Sequence, residues 1–230
     1  MSKGFIIAID GPAGSGKGTV TSILTEKLNA YNLYTGAVFR VIALYCIIHK
    51  IGLNNRNIII RSLPKINIDL KDGKTYLDTK DVTERIKEED TARGSSKVAA
   101  IPQVQEKMIQ ISREIGNRRL NEGKIVVTEG RNTGSAIFPN ADFKLFLTAS
   151  PEVRAQRRIA QLKEQGASFD YEEILREIKE RDQRDSTRSS YPLPQNPQEL
   201  GYFVLDNSDI GTEKTVNIII NKLKEKGLIS

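Results

Sequence analysis

Near its start the sequence reads Phe5-Ile6-Ile7-Ala8-Ile9-Asp10-Gly11-Pro12-Ala13-Gly14-Ser15-Gly16-Lys17-Gly18-Thr19. The run from Phe5 to Ile9 is short, continuous and apolar, which is typical of a buried parallel strand. A helix is predicted next, over about Lys17 to Ala30, because apolar residues recur there at helical spacing. A strand joined to a helix by a glycine-rich turn predicts an α/β fold, and this stretch therefore decides the fold class.

The turn between this strand and helix has the spacing of a phosphate-binding loop. Gly11, four residues and then Gly16-Lys17 form the P-loop pattern. Glycines let consecutive N–H groups point inward at phosphate oxygens, the helix adds the positive end of its dipole, and the lysine adds a compact charge. The alternative, a glycine-rich turn that binds nothing, fits this strand-to-helix context poorly. The predicted ATP-binding residues of the loop are Gly11, Pro12, Ala13, Gly14, Ser15, Gly16, Lys17, Gly18 and Thr19.

The charge of the chain favours anionic partners. Its 35 Lys and Arg against 29 Asp and Glu give a net charge of +6, which leaves nucleic acid and small phosphates as two classes of partner. Aromatic residues make up only 6%, and no basic and aromatic stacking platform for single-stranded nucleic acid is visible. We therefore expect small-molecule nucleotides as partners and no nucleic acid.

The sequence carries no visible pattern for a membrane or for export. Its longest apolar run, Val41 to Ile48, is too short to span a bilayer, and no signal peptide is apparent. A single cysteine, Cys46, excludes an intrachain disulfide framework and fits a reducing compartment. No Cys and His cluster has metal-ligand spacing, so no protein-only metal site is predicted. We expect a cytoplasmic monomer with no membrane partner.

Strands and helices alternate along most of the chain, which indicates a five-stranded parallel sheet flanked by helices in one P-loop kinase domain over residues 1–230. Besides the first strand, strands are predicted just before Thr35 and at 125–128, 143–147 and 202–206. Further helices are predicted at 36–51, 91–121, 151–165, 171–186 and 212–226.

Two segments interrupt or extend this pattern. Between about Pro64 and Val82 apolar residues alternate with polar ones around the turn Asp72-Gly73, which predicts a small β-hairpin in an inserted lobe at 61–90. Two interpretations of the lobe stay open, a decorative loop and a mobile part that closes over a substrate. Two arginine-rich helices separated by Gly166 predict a helical lid region at 154–188, with Gly166 as its hinge.

The arginines indicate what accepts the phosphoryl group. A nucleoside monophosphate needs no general base, because its phosphate is already ionised (second pKa about 6), but two phosphates driven together need their charge cancelled. Arginine forks grip phosphate bidentately and keep their charge. The spacing of Arg181, Asp185 and Arg188 places them on one helix face, and Arg131 follows a strand end. Each is individually typical of a solvated surface, so the prediction depends on their joint placement around the P-loop.

Several segments together resemble the bacterial cytidylate kinase family, from Ile7 to about Asn207. They are 9–19, which contains the P-loop and its Gly-Lys-Gly-Thr ending, Thr35-Gly36-Ala37-Val38-Phe39-Arg40, Ser96-Lys97-Val98-Ala99-Ala100, Gly130-Arg131-Asn132 and Glu180-Arg181-Asp182-Gln183-Arg184-Asp185. The resemblance implies phosphorylation of CMP and dCMP with ATP as co-substrate and Mg²⁺. It also implies that the lobe belongs to the monophosphate-binding region.

The resemblance further implies roles for individual residues. Arg40, Arg131 and Arg188 would hold the acceptor phosphate with Thr35 nearby, Arg181 and Asp185 would meet the ribose, and Ser96, Gln105 and Asn132 would approach the base. Arg154, Arg157 and Arg158 would belong to the lid, with Arg157 and Arg158 binding ATP. The residues expected to take part in catalysis are Lys17, Arg131, Arg181 and Arg188. Asp10 or Glu129, near strand ends, is expected to hold Mg²⁺ through water.

Two departures from the family pattern affect base selection. Asn132 stands where the family typically has Asp, and Gln105 stands where it typically has Arg. An amide can accept from the cytosine amino group or donate to a uracil carbonyl, so we expect weaker discrimination between CMP and UMP. Three alternatives stay open: a related kinase with UMP/CMP or non-nucleotide acceptor, a degenerate nucleotide-binding regulatory protein, and a nucleic-acid-binding protein that uses ATP as a switch.

Overall fold

The apolar runs form a five-stranded sheet in a computed structural model, which describes residues 4–71, 73–164 and 169–230. The strands are β1 (Ile6–Asp10), β2 (Tyr31–Leu33), β3 (Ile68–Lys71), β4 (Lys74–Leu77), β5 (Lys80–Asp81), β6 (Val126–Gly130), β7 (Phe143–Thr148) and β8 (Phe203–Asp206). The helices are α1 (Lys17–Lys27), α2 (Gly36–Ile48), α3 (Arg56–Ser62), α4 (Glu89–Val98), α5 (Pro102–Asn121), α6 (Pro151–Glu164), α7 (Tyr171–Thr187) and α8 (Thr212–Glu225).

The order of the main sheet is β2-β6-β1-β7-β8, and β1 lies at its centre. β1 runs parallel to β6 and β7, and β7 runs parallel to β8. In this register Asp10 is level with Gly130 and with Phe146, so the carboxyl ends of three strands meet at one edge. Ligands of open α/β sheets bind at that edge. The predicted α/β class and five-stranded sheet are confirmed.

The chain divides into two compact units, Met1–Tyr31 with Gly123–Ser230, and Asn32–Glu122. The core of the first unit forms around the central strands: every residue of β1 is buried, and its Ile7 and Ile9 belong to one apolar cluster with Leu24 of α1 and Ile219 of α8. Burial of such side chains contributes about 1.5–3 kcal/mol each. Burial of both faces of β1 explains why the strand is apolar from Ile6 to Ile9, whereas a strand buried on one face would alternate.

The second unit pairs helices with a small sheet. Helix α2 packs against α4, where a side chain in place of Gly94 would begin 3.1 Å from the Cβ of Ala43. Strands β3, β4 and β5 form an antiparallel three-stranded sheet, so the predicted hairpin is confirmed and gains a short third strand. Gly73 of its turn has a φ of 75°, and its neighbour Asp72 lies outside the described residues.

The helix predicted at 91–121 is wrong, because α4 and α5 are separate helices. Pro102 begins α5, and the residue before it, Ile101, is extended with φ −91° and ψ 119°. A proline lacks the N–H of a continuing helix and disfavours helical torsions in the preceding residue, so the chain breaks there. The short helix α3 was not predicted. The Asn55 side chain caps α3 by accepting from the Ile58 N–H at 3.3 Å.

The ends of the remaining helices differ from expectation by a few residues. The predicted helix at 151–165 is described to Glu164, while its last residue and the hinge residue Gly166 lie outside the described residues. Within 4–71, 73–164 and 169–230, no helix combines the length and apolar character needed to span a membrane.

Candidate active site

The glycine-rich turn after β1 adopts torsions that only glycine accepts readily. Gly11 has a φ of 149°, and a Cβ placed on it would lie 2.0 Å from the carbonyl oxygen of Leu147 on β7. Gly16 caps the start of α1 in the left-handed region, with φ 90° and ψ 8°. These torsions and close approaches follow from the absence of a Cβ. The turn therefore has the backbone form that a phosphate cradle requires.

Lys17 lies buried at the start of α1, with 5% of its surface exposed. Its Nζ donates to the Pro12 carbonyl oxygen at 2.7 Å and to the Ser15 Oγ at 3.4 Å. The pKa of Lys17 is lowered to about 7, chiefly by burial and also by the positive charge of Arg131, while the negative charge of Glu129 opposes the shift. The ammonium group is thus held in the loop by a carbonyl and a hydroxyl oxygen, and an anionic ligand would favour its charged form.

A cavity of about 790 Å³ opens over the loop, entirely within the first unit. Of the predicted ATP-binding residues, Ala13, Gly14, Gly16, Lys17, Gly18, Thr19, Arg157 and Arg158 line it. Arg131 and Arg181 line the same cavity, which brings three of the four predicted catalytic residues together. The volume suits a nucleotide-sized ligand. Gly11, Pro12 and Ser15 are buried in the loop beneath.

Arg131 follows β6 and is held by a carboxylate of α7. Its Nε donates to Oδ2 of Asp185 at 2.7 Å, and both side chains are 19% exposed. Arg181 lies one helical turn before Asp185 on α7. The pairing of Arg131 with Asp185 fixes the plane of the guanidinium beside the cavity.

Arg188 lies one residue beyond the end of α7, with extended torsions. The predicted helical face shared with Arg181 and Asp185 is therefore wrong for Arg188, because the helix ends at Thr187. Its Nε donates to the Tyr191 carbonyl oxygen at 2.6 Å. Burial lowers the pKa of Arg188, and the negative charge of Asp185 opposes this shift.

Arg154 of α6 is buried and is held by protein groups. It is 3% exposed, and it donates to the carbonyl oxygens of Ala149 at 2.9 Å and of Ala13 at 3.1 Å. It also forms an ion pair with Asp182 of α7. Arg154 also lines the cavity, and its predicted place in the lid over ATP stays a prediction.

Arg157 and Arg158 differ from Arg154 in exposure. Arg157 donates to the Ser15 carbonyl oxygen at 3.3 Å and to the Asn207 carbonyl oxygen at 2.8 Å, while Arg158 is exposed at the cavity. Asn207 was not predicted, and its Nδ2 also donates to the Ser15 carbonyl oxygen at 3.0 Å. Its position directly after an apolar strand, at the carboxyl edge of the sheet, is the sequence feature that identifies it.

Asp10 ends β1 and is fully buried. Its carboxylate accepts from the N–H groups of Thr133 and Gly134 and from the hydroxyl of Tyr202, all at 2.7 Å. We therefore withdraw Asp10 as a holder of Mg²⁺, because its oxygens bind protein donors. Glu129 lines the cavity. Within the described part of the chain, no three His, Cys, Asp or Glu side chains cluster as a metal site.

Four predicted substrate residues belong to the second unit. Thr35 precedes α2, and Arg40 on α2 donates from Nη1 to the Ile86 carbonyl oxygen at 2.8 Å. Ser96 is exposed on α4. Gln105 on α5 is 5% exposed, its Nε2 donates to the Ala99 carbonyl oxygen at 2.7 Å, and its Oε1 has no hydrogen-bond partner among the described residues.

The family model described as cytidylate kinase matches residues 7–225. A cytidylate kinase of Fusobacterium nucleatum is 37% identical over 220 residues, covering 96% of this chain and 97% of the relative. One of Fervidobacterium nodosum is 39% identical over 221 residues, covering 96% of each. A solved, uncharacterized protein from Eubacterium ventriosum shares the fold, with a TM-score of 0.54 at 17% identity, over 97% of this chain and 99% of that one. The chain belongs to the cytidylate kinase family.

Proposed function

We propose that the protein transfers the γ-phosphoryl group of ATP to the α-phosphate of CMP or dCMP. The observation that carries this proposal is that Lys17, Arg131 and Arg181 line one cavity with the glycine-rich loop. Two phosphate groups repel each other, and fixed cations in a desolvated cavity lower that repulsion most where charge develops during transfer. Because the chain belongs to the cytidylate kinase family, we propose cytosine as the base of the acceptor nucleotide.

The loop and α6 are proposed to bind ATP. The N–H groups of the loop and the positive end of α1 face anions, and Lys17 reaches the terminal phosphates as a point charge. Arg157 and Arg158 add charge at the lining. We propose Mg²⁺ as the accompanying ion, which when bound neutralises charge on phosphate oxygens. The Glu129 carboxylate and the Thr19 hydroxyl, both at the lining, are oxygen donors of the kind Mg²⁺ prefers.

The acceptor is proposed to need positioning and no general base. Its phosphate oxygens are already ionised near neutral pH, so an attacking oxygen is available without proton removal. Arg131, oriented by its 2.7 Å bond to Asp185, is proposed to hold that phosphate. Arg188 is assigned to the same phosphate on the family resemblance. Arg40 and Thr35 are assigned to the same task on the family resemblance.

We propose that the base is recognised by side chains that can both donate and accept hydrogen bonds. Asn132 is 6% exposed beside Arg131, and Gln105 carries a buried acceptor oxygen. Either amide oxygen suits the cytosine amino group. Ser96 is assigned to the base, and Arg181 and Asp185 to the ribose, on the resemblance.

We propose further that the chain acts as one kinase domain over 1–230 and as a cytoplasmic monomer. In it, residues 61–90 serve the monophosphate-binding region and residues 154–188 serve as the lid. A kinase with a non-nucleotide acceptor and a regulatory protein without activity are not favoured, because full-length relatives at 37–39% identity are cytidylate kinases.

The test supplies purified protein with ATP, Mg²⁺ and one acceptor at a time, and measures the phosphorylated products. We expect CDP and dCDP in amounts equal to the ADP formed. Lys17→Ala should lower the rate by at least about 10²–10³-fold, since it removes a fixed cation from the transferred group. Lys27→Ala, at the exposed end of the same helix, is the matched control. Product from a sugar or shikimate, or ATP binding without CDP, would contradict the proposal.

A further inference from the structure

A buried hydrogen-bond network lies behind Arg131 and has no part in the chemistry above. Its centre is the Asp10 carboxylate, and two of its three donors are the N–H groups that begin the helical turn at Thr133–Ile137. Those N–H groups have no partner within their own turn, and the Asn132 side chain does not cap them. Asp10 therefore caps this turn from 123 residues away in the sequence.

The third donor is the hydroxyl of Tyr202, which is 5% exposed. Tyr202 precedes β8, two strands away from β1, and its ring crosses the face of β7. There the edge of Phe146 meets it with centroids 6.1 Å apart, and the Lys144 ammonium lies 5.4 Å from its centroid. The contacts of the ring with these two side chains of β7 hold the hydroxyl against Asp10, and burial raises the pKa of the phenol so that it remains a donor.

The turn that this network holds has little room to move. A Cβ on Gly134 would lie 2.8 Å from the Tyr202 hydroxyl oxygen, and one on Gly130 would lie 2.6 Å from the Thr133 Oγ1. Arg131 lies between these two glycines in the chain. Its backbone is thus bounded on one side by the end of β6, in register with Asp10, and on the other by the capped turn.

We propose that Tyr202 is a positioning residue for the reaction, which acts through Asp10 to fix the backbone of Arg131. The inference rests on the proposed function, because it takes Arg131 as a residue that holds the acceptor phosphate. Asp185 orients the guanidinium of Arg131, whereas the Asp10–Tyr202 network sets the point from which that side chain extends. A displacement of about 1 Å at a phosphate-holding group lowers the rate by up to 10²-fold.

The first test compares Tyr202→Phe with the wild type. This change removes one hydroxyl and keeps the packed ring. We expect kcat/KM for CMP to fall about tenfold while KM for ATP changes less than about twofold, because only the acceptor arginine shifts. Tyr45→Phe, on α2, is the matched control and should leave both constants unchanged. A fall in thermal stability with kinetic constants equal to those of the control would overturn the proposal.

The second test is a double-mutant cycle with Arg131→Ala. If Tyr202 acts through Arg131, adding Tyr202→Phe to Arg131→Ala should have little further effect on kcat/KM for CMP. Effects that multiply independently would overturn the proposal. Should Tyr202→Phe not fold, Asp10→Asn is put through the same comparison. A wild-type protein that forms no CDP counts against the proposed function, whereas CDP formation unaltered by these changes counts against the positioning role alone.

Discussion

Arg154 and Asp182 form a bidentate ion pair, with Nη1 to Oδ1 at 3.0 Å and Nη2 to Oδ2 at 2.6 Å. The same guanidinium donates to the Ala13 carbonyl oxygen in the glycine-rich loop and to the Ala149 carbonyl oxygen after β7. One side chain of α6 thereby connects α7 to the phosphate-binding loop. The pair therefore supports the loop through the Ala13 carbonyl oxygen, and Arg154 also lines the cavity above it.

Asp182→Asn should destabilise the fold by about 1–3 kcal/mol. The change leaves the charge of Arg154, whose side chain is 3% exposed, without its partner. The loss of stability stays moderate because the Asp182 side chain is 28% exposed and water already screens the pair. Urea unfolding at constant m-value measures the difference.

The control for this change is Glu225→Gln, which removes the partner of Lys222 in an ion pair of 2.6 Å on α8. The Glu225 side chain is 61% exposed and that of Lys222 is 38% exposed, so the free energy of unfolding should fall by less than about 0.5 kcal/mol. Equal losses in the two variants would mean that the Arg154–Asp182 pair contributes no more than a surface contact.

Binding of ATP should take up a proton at pH 8. The pKa of Lys17 is lowered to about 7 in the protein without nucleotide, so only about a tenth of the molecules carry the proton at pH 8. A bound triphosphate favours the ammonium form and raises that pKa. Affinity for ATP should therefore fall as pH rises above about 7, by up to tenfold per unit.

Calorimetry in two buffers of different ionisation enthalpy measures the proton uptake. Lys17→Arg serves as the control, because its guanidinium does not titrate in this range and should take up no proton. Equal proton uptake by the wild type and the arginine variant would contradict the assignment to Lys17.

Asn132→Asp should sharpen the preference for CMP over UMP. Asn132 can either accept from cytosine or donate to uracil, whereas a carboxylate only accepts. We expect weak discrimination in the wild type and a roughly tenfold higher ratio of the two kcat/KM values in the variant. Asn221→Asp, exposed on α8, controls for the added charge. A wild type already strongly selective for CMP would refute this role of Asn132.

Gly11→Ala should cost at least about 3 kcal/mol of folding free energy or prevent folding. A Cβ there would lie 2.0 Å from a backbone oxygen of Leu147, and the φ of 149° is unfavourable for any L side chain. Gly211→Ala, which precedes α8 with φ −71° and open space around its Cα, should change stability by less than about 0.5 kcal/mol. Thermal unfolding of both variants makes the comparison, and similar stabilities would count against the predicted clash.

The break before Pro102 shows where pattern reasoning failed. Apolar spacing continues from α4 into α5, so periodicity alone extends one helix through the region, whereas the local effect of proline ends it. The sequence does contain the signal for this break, because a proline favours a helix end at the residue before it. The short helix α3 has too few residues for a period to be read and depends on packing of the buried Ile59.

The sequence by itself determined the phosphate-binding loop, because the spacing of Gly11, Gly16 and Lys17 between a strand and a helix is a local property of consecutive residues. Tertiary packing decided how deeply each arginine of α6 is buried: Arg154, Arg157 and Arg158 look alike in the chain, yet the first is buried, the second half-buried and the third exposed. It also decided the partners of Asp10, which lie 123 to 192 residues away. Contacts between distant residues depend on how elements pack, and no local spacing records them.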